Sequence, residues 1–231
     1  MAAMRTYRQN CGIARALDLL GERWTILIVR ELARGPKRFG DLVAGLEGIG
    51  TNLLAARLRA MQDAGLVEAQ TLPPPAGVSA YALTDHGRSL VPVLEDLALW
   101  GMGIPWEDQQ HARSRAAWAA MTMRAQLERS DEEAPDGIYE FDVGGEQFWL
   151  RIAGGVPELT DGPAPIAPDV RVTCELPIFM ELAMGLRRAS DTALDVHGDR
   201  RRLAAVLRGF RMPAAEPGAG PSPAAIADLV A

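Results

Sequence analysis

Apolar residues recur at helical spacing from the start of the chain. Ile13, Ala16, Leu17 and Leu20 share one face and stop at Gly21, and Trp24, Leu27, Ile28 and Leu32 form a second run that ends at Gly35-Pro36. Two short helices are predicted there. Phe39, Leu42, Val43 and Leu46 predict a third, Gly48-Ile49-Gly50 a tight turn, and residues 51–64 a fourth, with Leu54, Leu58 and Met61 at i, i+4 and i+7. After Gly65 the period changes from helix to strand. Residues 66–71 and 79–83 alternate, and the run Pro73-Pro74-Pro75-Ala76-Gly77 between them forbids regular structure, so a hairpin with a stiff open tip is expected. Thr84 is a suitable N-cap for a further helix in which Leu90, Val93, Leu94, Leu97 and Trp100 share a face and Pro92 introduces a kink.

The second half mixes both periods. Ala117, Met121, Arg124 and Leu127 mark an amphipathic helix over residues 113–129, followed by an acidic loop to Asp136. Tyr139, Phe141 and Val143 alternate with polar neighbours, Gly144-Gly145 is a two-residue hairpin turn, and Phe148, Leu150 and Ile152 alternate again. Residues 156–160 and Val170, Val172 and Cys174 supply further strands of an antiparallel sheet. Phe179, Leu182, Ala183 and Leu186 predict a helix, Leu194 and Val196 a short strand, and residues 203–210 a last helix led by Arg200-Arg201-Arg202, a charge run expected to be solvated.

The glycines and proline of residues 101–108 break the helical pattern and suggest a boundary. The fold class is therefore α+β, with one domain over 1–104, an α+β domain with an antiparallel sheet over 105–212, and a flexible Pro/Gly/Ala-rich tail over 213–231. Composition changes this picture little. At 48% hydrophobic and 23% charged the 231 residues suit a soluble globular chain, the apolar stretch 24–29 is far short of the ~20 residues of a membrane span, and no export signal precedes it. The expected location is cytoplasmic, with no membrane partner. Cys11 and Cys174 are too far apart in sequence, and too alone, for a disulfide scaffold or zinc ribbon.

Charge is more informative. The net charge of −6 argues against a nucleic-acid partner, yet residues 1–104 carry 11 basic and 10 acidic side chains whereas 105–231 carry 13 and 20. Between Arg23 and Arg59 seven basic residues face three acidic ones, a local excess of positive charge inside an acidic protein. Helix, helix, helix-turn-helix, hairpin and helix is the order of a winged helix domain. On its fourth helix the face opposite Leu54, Leu58 and Met61 holds Asn52, Ala56, Arg59 and Asp63, with Thr51 and Ala55 near the leading end. Asn52 and Arg59 are candidates for base edges or phosphates. Arg57 on the flank, and Lys37 and Arg38 before the third helix, are candidates for phosphates, which fix register without reading sequence. The hairpin is unlike them: residues 66–86 hold no Arg or Lys, so it cannot neutralise a phosphate and a shallow salt dependence is expected.

The run CGIARALDLLGERWTILIVREL at residues 11–32, with Arg38-Phe39, Tyr81-Ala82-Leu83-Thr84, Gly87 and Trp100, resembles the HxlR family of bacterial winged helix-turn-helix transcriptional regulators over residues 8–102. The resemblance implies a homodimer, paired through its first and last helices, that binds a palindromic double-stranded DNA operator. Lys or Arg is common where Asn52 stands, and a small hydroxyl residue where Ala55 stands. Many members carry a cysteine at the position of Cys11 that senses oxidants or electrophiles. A thiol near Arg8 and Arg15 and a helix N-terminus can have a lowered pKa, and the alternative is a small residue at a subunit interface.

GIYEF at 137–141, FWLRI at 148–152, DVRVT at 169–173, Met184-Gly185 and LDVHGD at 194–199 resemble the sterol carrier protein-2 like fold over residues 112–212. That likeness implies an apolar ligand between sheet and helices, in a cavity lined by Phe141, Phe148, Leu150, Val172, Cys174, Phe179 and Leu182; core packing accounts for the same residues. Catalysis finds no support. His86, His111 and His197 fit no metal spacing, Gly48-Ile49-Gly50 has Leu53 where a dinucleotide fingerprint needs its third glycine, and Asp142 and Glu146 flank a hairpin turn. No enzyme, cofactor or metal is expected. The leading expectation is a regulator answering to an apolar effector; the alternatives are a carrier module that uses the winged helix only to dimerise, and a thiol switch at Cys11.

Overall fold

The structure, a computed structural model, describes residues 6–72, 77–102, 104, 114–183 and 186–210. The chain divides into two compact units, Met1–Leu94 and Glu95–Ala231.

In the first unit, α1 (Gly12–Leu20), α2 (Thr25–Leu32), α3 (Phe39–Gly45) and α4 (Thr51–Asp63) precede a hairpin of β1 (Val67–Thr71) and β2 (Ser79–Leu83). The strands pair antiparallel from Val67 with Leu83 to Thr71 with Ser79. The hairpin tip at 73–76 lies outside the described residues. Lys37 extends the pairing: its N–H and carbonyl bond the Tyr81 backbone at 2.9 and 2.8 Å, tying the start of α3 to the hairpin. The core collects Ile28, Leu32, Leu42, Leu54, Leu58 and Met61 from the helices and Leu66, Ala80 and Leu83 from the hairpin, all buried. Burying each large apolar side chain contributes roughly 1.5–3 kcal/mol.

The single kinked helix expected after Thr84 is two helices, α5 (Asp85–Arg88) and α6 (Val91–Met102). Thr84 caps α5 by accepting from the Gly87 N–H at 3.0 Å. Pro92 is the second residue of α6, where a missing N–H costs no intrahelical bond, so it starts a helix and does not bend one.

The second unit has α7 (Ala116–Arg129), β3 (Gly137–Val143), β4 (Glu146–Ala153), β5 (Val156–Asp161), β6 (Val170–Cys174), α8 (Leu176–Ala183), β7 (Asp195–Gly198) and α9 (Arg200–Arg208). The five strands lie in the order β5-β4-β3-β6-β7. The sheet is mixed, which corrects the antiparallel expectation: β6 runs parallel to β3, pairing Tyr139 with Val170 through Val143 with Cys174. Glycine turns add β4 and β5 on one side of β3, and residues 162–169 then carry the chain across the sheet to the other side. On the way the Ala164 N–H donates to Glu140 at 2.8 Å. Alternation of side chains is the same for either strand direction, so the sequence pattern could not distinguish them.

One sheet face and the helices enclose a single core in which Tyr139, Phe141, Phe148 and Phe179 are fully buried. Arg200 and Arg202, expected to be solvated, are engaged. Arg200 donates to the carbonyls of Ala189 and Leu194 at 2.9 and 3.4 Å, and Arg202 binds the Asp136 carbonyl and lies 3.7 Å from Asp169. Met184-Gly185 and the tail over 213–231 fall outside the described residues. No helix among those described is long and apolar enough to cross a membrane.

Candidate nucleic-acid interface

The turn before α4 is built by Gly48, whose φ of 87° suits a residue without a side chain. The Trp24 ring lies beside it, close enough that a Cβ on Gly48 would touch it at 3.7 Å. Trp24 itself takes a left-handed conformation, φ 86°, just ahead of α2, a strained state for an aromatic residue. Helix α4 then buries Leu54, Leu58 and Met61 and leaves Thr51, Asn52, Ala56, Arg59 and Asp63 exposed. The i, i+4, i+7 spacing thus places Thr51, Asn52 and Arg59 together on an outward face, with Ala55 half-buried at its margin.

Arg57 is placed differently. Half-buried on the flank of α4, it donates to Glu22 at 2.7 Å, so any phosphate must compete with that carboxylate. Arg38 is exposed at the N-cap of α3, where its N–H donates to Asp41 at 3.1 Å; Lys37 is half-buried and held by its backbone. Glu22 carries no local signal of this role, because its partner lies 35 positions away.

Cys11 is exposed immediately ahead of α1. The backbone N–H groups of Ala14 and then Ile13, open at this helix end, hold its thiol below the ordinary value, although none closes a cap hydrogen bond. Cys174 is the opposite case. It is buried in the second unit, and desolvation, with smaller contributions from Glu175 and Asp142, pushes its pKa up to about 12.

Phe141, Phe148, Leu150, Val172, Cys174, Phe179 and Leu182 are gathered in one buried cluster. Phe141 stacks on Phe148 at 5.2 Å between centroids, and Phe179 meets both edge-on at 5.8 and 5.4 Å. Among the described residues no group of three or more His, Cys, Asp or Glu could hold a metal ion; His111 lies outside them.

A family model described as HxlR-like helix-turn-helix matches residues 19–109. Among curated proteins, the chain is 36% identical over 100 residues to an uncharacterized HTH-type transcriptional regulator of Synechocystis sp., covering 43% of this chain and 73% of that protein. It is 36% identical over 85 residues to the HTH-type transcriptional regulator YodB of Bacillus subtilis, covering 37% of this chain and 76% of that one. Among solved structures, the reduced form of YodB is 31% identical with a TM-score of 0.37, covering 44% of this chain and 98% of that one.

Proposed function

The chain belongs to the HxlR-like helix-turn-helix family, and from that membership we propose that it is a homodimeric transcriptional regulator that binds a two-fold operator through α4. The observation that carries the reading is the two-sided character of α4: one stripe anchors it in the core, and the opposite one offers Thr51, Asn52 and Arg59 to a partner. A major groove admits one helix, and amide and guanidinium groups match the edges of adenine and guanine. Lys37, Arg38 and, in competition with Glu22, Arg57 contact phosphates.

Dimerisation is supported by apolar side chains left in water. Ile13, 74% exposed, and Leu17 lie one turn apart on α1; Val93, Leu97 and Trp100, the last 69% exposed, follow one stripe of α6. A two-fold partner covering both helices spaces the two α4 segments for half-sites about 34–36 Å apart. The effector belongs to the second unit, where the sterol-carrier-like motifs lie. An apolar molecule entering that core must part the stacked Phe141, Phe148 and Phe179 rings.

A second reading, a thiol switch at Cys11, is favoured by one observation: the thiol is exposed and its ionised form is stabilised at the head of α1. The test of the main reading is a mobility-shift titration against the DNA upstream of the protein's own gene. Specific retardation at submicromolar protein, with a shallow salt dependence, is expected. No shift at micromolar protein overturns it and favours a carrier role.

A further inference from the structure

The second unit is acidic overall, yet one groove of about 520 Å³ in it is lined by five arginines and no carboxylate. It lies between the loop that follows α8 and the outer side of α9. Two of those arginines are neutralised: Arg187 pairs with Glu181 and Asp191, and Arg208 lies 3.5 Å from Glu132. The other three are not. Arg200 bonds only backbone carbonyls, and among the described residues no carboxylate lies within ion-pair distance of Arg188, Arg200 or Arg201.

Their placement is unfavourable for the fold alone. Arg200 and Arg201 occupy the first turn of α9, which holds no acidic residue, so their charges oppose the positive end of the helix dipole. Asp199 offsets part of this by accepting from the Arg201 N–H at 2.8 Å. An anion between Arg188 and Arg201 would satisfy both guanidinium groups and the helix end together, and guanidinium groups bind carboxylates and phosphates through paired hydrogen bonds. The groove continues onto Ala204, Leu207 and Phe210, a surface that repels a bare hydrated anion and suits a hydrocarbon body.

We propose that this groove binds an anionic amphiphile, a carboxylate or phosphate head on an apolar body, with the head held by Arg188, Arg200 and Arg201 and the body laid along α9. Phe141, Phe148 and Phe179 do not line the groove, so the ligand need not part their stacked rings. The proposal deepens the effector part of the regulator reading, but its test involves no DNA, so failure of one leaves the other standing.

The experiment is calorimetric titration of the full chain with decanoate, decyl phosphate, decan-1-ol and inorganic phosphate. Decanoate or decyl phosphate should bind at least tenfold more tightly than decan-1-ol and than inorganic phosphate; which of the two binds better identifies the head group. The exposed double substitution Arg188→Gln/Arg201→Gln should weaken the amphiphile at least tenfold while leaving the circular dichroism spectrum unchanged and the unfolding midpoint no lower than the parent's. Equal binding of decan-1-ol, equal binding of phosphate alone, absence of binding by both amphiphiles, or undiminished binding by the folded double variant each overturns the proposal.

Discussion

The Arg57 guanidinium closes on the Glu22 carboxylate at 2.7 Å, joining the flank of α4 to the turn that leads into α2. The pair is partly open to water, so its contribution to stability is small, about 0–1 kcal/mol. Its larger effect is on the charge offered to a phosphate. Glu22→Gln leaves the guanidinium without its ionic partner at little cost to the fold. The expected outcome is tighter DNA binding and a slope of log K against log salt that is steeper by about one, measured by fluorescence anisotropy at several salt concentrations. An unchanged slope would mean that Arg57 stays off the backbone even when freed.

Arg59 stands on the exposed face of α4, and among the described residues no carboxylate pairs with it, so its removal tests recognition more directly. Arg59→Ala should weaken operator binding by about 1–3 kcal/mol while affecting a scrambled duplex far less, provided the side chain meets a base edge. Equal loss on both duplexes assigns it to a phosphate. Urea midpoints should match the parent, because the side chain is exposed.

The face of α4 was legible because Leu54, Leu58 and Met61 obey a local period, and the β3–β4 hairpin because Gly144-Gly145 interrupts two alternating runs. What escaped was set by pairs distant in sequence. The Arg57–Glu22 pair spans 35 positions, and the parallel pairing of Phe141 with Val172 depends on a crossing over the sheet that no local pattern encodes. Pro92 misled for a subtler reason: a proline inside an apolar period looks like a kink unless the preceding residues are known to end one helix before another begins. In the same way Glu95, a charge within a run of apolar residues, gave no sign that it would be buried.

Glu95 is 0% exposed, and its Oε1 accepts from Arg124 Nε at 2.6 Å while Oε2 is buried without a partner among the described residues. Desolvation raises its pKa, opposed by the hydrogen bond and charge of Arg124 and more weakly by Arg129, and reinforced by Glu128. The folded chain therefore holds this proton at pH values where the unfolded chain has released it. Stability from this group is greatest below the ordinary glutamate pKa and is lost as pH rises from there through the elevated folded value. Glu95→Gln removes that dependence. The difference in urea midpoint, parent minus variant, should fall as pH rises above the ordinary glutamate pKa of about 4.3. A difference that rises over the same range would show that the Arg124 ion pair outweighs desolvation.

The two cysteines give an internally controlled test of the thiol reading. Only the thiolate reacts appreciably with an alkylating agent, so reactivity follows both exposure and pKa. Cys11 is exposed, and the Ala14 and Ile13 amides lower its pKa, whereas Cys174 is buried with its thiol pushed up to about 12. Iodoacetamide at pH 7 should therefore modify Cys11 faster than free cysteine and leave Cys174 untouched in the folded protein, as followed by peptide mass spectrometry. The rate at Cys11 should reach half its plateau at a pH below that of a free thiol, and unfolding in urea should bring both sites toward the same rate. If the folded protein consumes reagent at Cys11 no faster than free cysteine does, the amides at the head of α1 do not activate the thiol. A switch there would then need a group from outside the chain to ionise it.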